Sequence, residues 1–293
     1  MRTVLGLLWL PLALAACGDD ESGGSDGRPS VVVTTGILGD VVRNLVGDVI
    51  EVEVLMPPNA DPHDFAPSAR QAGSMREADV LVVNGLDFEE GLLDTIESAE
   101  ADGTVVVAAA DAIEPLAGDP HLFTDPARMR DAAEAIAAEL VEQIPALDTA
   151  AFQERVDGYL AELDDLDAEV EALLADIPDD ARVLVTNHEV FGYFADRYDF
   201  EVLGAVVPGG STLSEPSAAD LAELLTEIEE HEVPAIFADT SSPARLADAL
   251  AGEGADVEIV ELYSESLGEA GSDGDTYIGM VRANAERIAA ALG

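Results

Sequence analysis

Between positions 149 and 177 the apolar residues fall at Phe152, Val156, Tyr159, Leu163, Leu166, Val170, Leu173 and Ile177. The steps alternate four and three, which puts these side chains on one face of an α-helix. Charged residues such as Glu154, Arg155, Asp157, Glu162, Asp164, Asp165, Asp167, Glu169 and Glu171 fill the gaps. Gly158 is the only weak helix former inside, and the run stops at Pro178. At about 1.5 Å per residue such a helix would be roughly 40 Å long. Taken alone, it reads as a core helix or a coiled-coil segment. Its flanks change that, because short apolar runs alternate with helical periodicity on both sides.

Before the long helix, strands are expected at 31–34, 51–56, 79–84 and 104–108, with helices at 37–46, 68–77, around 88–98 and at 127–144. After it, strands are expected at 182–186, 201–206, 235–238 and 257–261. Helices near 190–198, 217–231, 243–251 and 276–292 separate or close them. Short apolar strands alternating with helices imply right-handed crossovers and parallel sheets covered on both faces. The expected fold is α/β, with two Rossmann-like lobes over 31–148 and 178–293 joined by the backbone helix 149–177.

Composition adds two facts. Thirteen basic residues, all Arg, against 61 acidic ones give a formal net charge of −48 over 293 residues. Such a surface repels nucleic acid and anionic membrane, which excludes DNA or RNA binding, and it fits adaptation to a salty or alkaline medium. The single cysteine, Cys17, rules out an intramolecular disulfide and a cysteine-rich metal site. It follows a short basic start at Met1-Arg2, an apolar run over 4–14 too short to span a bilayer, and Leu14-Ala15-Ala16. This is the layout of an export signal, and Leu14-Ala15-Ala16-Cys17 resembles the lipobox of bacterial lipoproteins. Residues 1–16 are then a signal peptide and Cys17 the lipidated mature N-terminus. Residues 17–30, rich in Gly, Ser and Asp, form a flexible tether with a reach of about 20 Å.

In open α/β sheets, ligands sit beyond the carboxyl ends of the strands. Three of the four histidines lie there. His63 is in Asp61-Pro62-His63, His121 in Asp119-Pro120-His121, and His188 follows the strand expected at 182–186. Asp275 ends a Gly- and Asp-rich loop before the last helix, where an N-cap role is also open. Three imidazoles and one carboxylate satisfy a four-coordinate transition metal. His231, at the end of a charged helix, suits a favourable C-terminal cation instead of a ligand.

The segments Asn59-Ala60-Asp61-Pro62-His63-Asp64-Phe65-Ala66-Pro67, Asp119-Pro120-His121, Thr186-Asn187-His188-Glu189-Val190-Phe191-Gly192-Tyr193-Phe194 and Asp275-Thr276-Tyr277-Ile278 resemble the four metal-site segments of the cluster A-I (cluster 9) zinc and manganese solute-binding lipoproteins of ABC importers. Val80-Leu81-Val82-Val83-Asn84-Gly85 and Glu215-Pro216-Ser217 match further segments of that family. The resemblance runs from the lipobox to the C-terminus. It implies a rigid helix between the lobes and a divalent metal in the cleft. The metal would be held by His63 and His121 from the first lobe and His188 and Asp275 from the second. It also implies an ABC permease as partner and a lipid-anchored monomer on the extracytoplasmic face of the cell membrane. Three imidazoles favour zinc over harder manganese. Manganese stays open, because many zinc-type members carry a His-rich loop before the second ligand, whereas residues 111–119 here are short, acidic and free of histidine.

Catalysis lacks residues. Glu189 beside His188 could act as a base, but four protein ligands would close the metal sphere, and there is no His-Glu-x-x-His run, phosphate loop or Gly-x-Ser-x-Gly turn. The chain is therefore expected not to be an enzyme. A surface adhesin or scaffold with a structural metal is the alternative from another class, since some family members carry adhesin names.

Overall fold

The computed structural model describes residues 29–116, 118–207, 209, 211–213, 217–240 and 257–293. The signal peptide expected at 1–16, Cys17, most of the tether, Glu215-Pro216 and the helix expected near 243–251 lie outside the described residues.

Valine-rich segments form the first sheet. Its strands are β1 (Ser30–Val33), β2 (Glu51–Val54), β3 (Val80–Val83) and β4 (Val105–Ala108), all parallel in the order β2-β1-β3-β4. β-Branched side chains suit this doubly covered surface. The second sheet repeats the plan with β5 (Val183–His188), β6 (Glu201–Val207), β7 (Ala235–Asp239) and β8 (Glu258–Leu262) in the order β6-β5-β7-β8, again all parallel.

Most of the helices start where side chains can cap them. Thr35 accepts the Leu38 N–H for α1 (Gly36–Val46), and Ser68 with Gln71 forms a capping box on α2 (Ala69–Glu77). Then come α3 (Leu93–Asp102), ended by Gly103 at φ 105°, and α4 (Pro126–Gln143), capped by Asp125 with Pro126 at its first position. The linking helix is α5 (Ala150–Leu174), 25 residues, about 37 Å long and capped by Thr149. It stops short of Ile177, which turns back to donate to the Leu174 carbonyl. The second lobe carries α6 (Gly192–Tyr198), α7 (Ala218–Glu230) and α8 (Tyr277–Leu292), the last capped by Thr276.

Strand alternation sorts the core into layers. Val31, Val33, Val80 and Val82 point inward to α1, α4 and α5, whereas Val32, Leu81 and Val83 point outward to Met75 of α2 and Ala99 of α3. In the second sheet Leu184, Ala235 and Phe237 face inward, and Val185, Ile236 and Ala238 pack outward with Leu224 and Ile228 of α7. The inward faces of both sheets belong to one continuous cluster. Phe152, Val156, Tyr159, Leu163, Leu166 and Val170 of α5 run through it.

Polar bonds also cross between the lobes. Tyr277 donates its backbone N–H to the Asp40 carboxylate and its hydroxyl to the Phe123 carbonyl, both at 2.9 Å. Arg128 reaches Asp196 at 2.8 Å, and Thr212 donates to Asp61 at 2.6 Å.

Two local expectations change. The helix expected around 88–98 begins only at Leu93, because Phe88 and Glu89 are buried in tertiary contacts that a regular helix would break. The strand expected to end at Thr186 continues to His188, which pairs with Val207.

Candidate metal centre

The carboxyl ends of both sheets converge on one buried point. His63 lies in the loop after β2, His121 in the loop after β4, His188 at the last position of β5, and Glu265 three residues beyond β8. Each offers one donor atom, and the four donors lie within 4.8 Å of one another. All four residues are at most 5% exposed.

The two Asp-Pro-His triplets build the same turn. Asp61 Oδ1 accepts the His63 N–H at 2.9 Å, and Asp119 Oδ1 accepts the His121 N–H at 2.8 Å. Asp119 Oδ1 also lies 2.7 Å from His121 Nδ1, while His63 Nδ1 faces Glu90 Oε1 at 3.1 Å. The Asn84 amide donates to the Pro120 carbonyl at 2.8 Å and steadies the second turn. Glu89 ties the ends of β1 and β3 together, accepting from the Thr34 hydroxyl at 2.6 Å and the Asn84 N–H at 2.7 Å. Phe88 closes the floor, edge-on to His63 and His121 at 5.2 and 5.5 Å between ring centres.

Glu265 sits among the imidazoles. Its oxygens are 2.6 Å from His188 Nε2, 3.3 Å from His121 Nε2 and 3.6 Å from His63 Nε2. Burial opposes its charge, but the imidazoles of His121, His188 and His63 outweigh burial and hold it well below the usual carboxylate range. In turn, burial lowers His121 while Asp119 and Glu265 raise it, to about 9 on balance. His63 also ends above its ordinary value, since Glu265 outweighs the opposing burial.

Among the described residues, His63 Nε2, His121 Nε2 and Glu265 Oε2 are buried without a well-directed hydrogen bond. Such groups are costly unless something binds them. Donors around a tetrahedral zinc stand about 3.4 Å apart for bonds near 2.05 Å. The separations of 2.6, 3.3 and 3.6 Å bracket that distance. Three neutral nitrogens and one carboxylate oxygen thus suit a divalent transition metal.

The structure brings His63, His121 and His188 together but leaves Asp275 out of the cluster. Asp275 is exposed and accepts the Gly271 N–H at 2.8 Å. It is not the helix cap either, since Thr276 takes that position. It lines a cleft of about 360 Å³ between the lobes, together with Thr35, Met56, Pro57 and Glu265. Glu189 is exposed, with its backbone N–H on the Gly209 carbonyl. His231 is the C-cap of α7, exposed and 3.5 Å from Glu227, outside the cluster. Glu265 was missed by sequence reasoning. The available signal was its place at the exit of a strand, the same rule that picked out the histidines.

A sequence model described as the periplasmic zinc-uptake complex component A (ZnuA) matches residues 31–291. The chain belongs to this family. The zinc-binding protein TroA of Treponema pallidum is 35% identical over 280 residues, covering 92% of this chain and 90% of the relative. Its solved structure superposes with a TM-score of 0.84, covering 91% of this chain and all of that one. The manganese-binding lipoprotein MntA of Bacillus subtilis is 32% identical over 300 residues, covering 98% and 97%. A manganese ABC transporter substrate-binding lipoprotein, PsaA of Streptococcus anginosus, is 25% identical over 307 residues, covering 100% and 98%. Membership of the ZnuA family agrees with the resemblance drawn from the sequence, and so does the architecture of two lobes with four-stranded parallel sheets. Among the described residues no helix is long and apolar enough to cross a membrane.

Proposed function

We propose that this protein captures a divalent transition metal, zinc in preference to manganese, outside the cell and delivers it to the permease of an ABC importer. The observation that carries the reading is the buried convergence of His63, His121, His188 and Glu265, whose donors lie within 4.8 Å of one another. Three imidazoles are intermediate-soft donors that suit zinc, and one carboxylate offsets half the ion's charge. The relatives' names support the class and include both metals. Manganese is therefore the second reading, favoured by the acidic, histidine-free segment over 111–119. The chain is a carrier and not an enzyme, because a fourth protein ligand fills the position that a catalytic metal keeps open for water.

In this mechanism Cys17 carries the lipid anchor and the folded part works as a tethered monomer. Asp119 orients the His121 ring. Glu265 and His188, from the second lobe, complete the donor set as the lobes tighten. The ion competes with protons for the imidazoles, so affinity falls as pH drops. The shared core and α5 oppose a wide hinge swing, so small lobe shifts accompany loading and release. Competitive calorimetry of the metal-stripped chain from Gly18 onward tests the reading. Tight one-to-one zinc binding with weaker manganese is expected. Tighter manganese binding would transfer the assignment to manganese, and specific binding of neither would overturn it.

A further inference from the structure

Resting on the metal-capture reading, we infer that Glu90 is a positioning residue of the site: it accepts the Nδ1–H of His63 and so aims Nε2 of that ring at the ion. The two Asp-Pro-His turns match in backbone but differ in what holds the ring. At His121 the turn's own Asp119 takes both the backbone N–H and Nδ1. At His63 the equivalent Asp61 is committed elsewhere, with Oδ1 on the backbone N–H and Oδ2 accepting from Thr212 of the other lobe. The His63 ring is left to a different carboxylate, and Glu90 Oε1 supplies it at 3.1 Å.

The chain delivers Glu90 there by construction. Glu89, one residue earlier, is anchored on Thr34 and Asn84. Gly91, one residue later, packs so closely on the His63 loop that a Cβ would lie 2.2 Å from the Phe65 carbonyl oxygen. Glu90 is thus fixed from both sides. A carboxylate on Nδ1–H fixes the tautomer and makes Nε2 a stronger donor to a metal. Glu90 itself is outside the four-donor group, and its side chain is 35% exposed. Removing it therefore leaves the ligand set complete and the core untouched. His188 Nδ1 has no such partner among the described residues, so the two first-lobe imidazoles are the held pair.

The test is zinc titration against a competing chelator for the wild type, Glu90→Ala, Glu90→Gln and Glu189→Gln. It is read together with the imidazole N–H resonances of the zinc-loaded chain, where four histidines give few signals. Glu90→Ala should weaken zinc binding by about 10–100-fold, and E90Q, which keeps an acceptor without the charge, by less. E189Q, which removes an exposed carboxylate outside the donor group, should stay within about twofold, because exposed charges are screened. The His63 ring N–H should move upfield and exchange faster in E90A, while the His121 signal stays. Wild-type affinity in E90A would overturn the assignment. So would a loss in E90A that leaves the His63 signal unmoved. Failure of the wild type itself to bind zinc or manganese would instead remove the metal-capture reading, a result visible before any variant is made.

Discussion

Replacing Tyr277 with Phe isolates one strand of the link between the lobes. The ring is fully buried and would be kept, as would the backbone N–H bond to Asp40 at 2.9 Å. Only the hydroxyl is lost, and with it the 2.9 Å bond to the carbonyl of Phe123, two residues beyond His121. A buried hydrogen bond contributes about 1 kcal/mol net, and stranding its acceptor brings the cost to about 1–3 kcal/mol. In a chain of this size each kcal/mol moves Tm by roughly 2–4 °C, so about 2 kcal/mol gives a fall of roughly 4–8 °C. Scanning calorimetry of the metal-stripped protein reads this directly. Zinc titration of the same samples then shows whether loosening the Phe123 turn reaches His121. Since 1.4 kcal/mol is a factor of ten, a loss of about 2 kcal/mol lowers zinc affinity by about 30-fold if the whole of it appears in binding. A Tm within about 1 °C of wild type would refute the view that this bond ties the lobes.

Glu265→Gln should weaken zinc binding beyond the roughly 10–100-fold that losing an outer hydrogen-bond partner costs. Asp275→Asn should leave it within about threefold, since an exposed charge outside the cluster is largely screened. Equal losses in the two would return Asp275 to the site. His121, at about 9 in the fold against 6.5 ordinarily, contributes stability to the metal-free protein that is fully present below pH 6.5. That contribution is lost as pH rises through about 9, so urea unfolding of the stripped protein should show declining stability over this window while zinc affinity climbs. A flat stability profile would contradict it. His231→Ala removes an exposed contact with Glu227 and should change stability by less than about 0.5 kcal/mol and affinity not at all.

The elements that could be read from the sequence are those whose burial is uniform along a face. The stripe from Phe152 to Val170 and the valine runs of β1, β3 and β4 each express a local rule that tertiary contacts reinforce. The segment from Phe88 to Leu92 resisted, because its apolar and acidic residues serve the site. Phe88 lies under two imidazoles and Glu89 holds two strand ends, so helical periodicity there is overridden. The histidines stood out because only four exist, and three of them are at or beyond strand ends. Glu265 did not, being one of 61 acidic residues. No local pattern separates this carboxylate from the other sixty acidic residues. Only its position past β8 does, and Asp275, favoured by family resemblance, lies ten residues further along. That two identical Asp-Pro-His turns set different carboxylates beside their rings is a tertiary contact with no trace in the triplets themselves.

The cluster that joins the two inward sheet faces contains Val31, from the first strand, and Leu292, one residue from the C-terminus. Neither half of the chain can therefore bury its apolar surface alone. A fragment ending at Pro178 would expose the side of α5 that meets α8, and one starting there would lack α5 altogether. Two lobes of similar plan would ordinarily suggest two independent folding units. Here the packing makes a single cooperative one, in which a nascent chain stays aggregation-prone until its last sixteen-residue helix has emerged and docked.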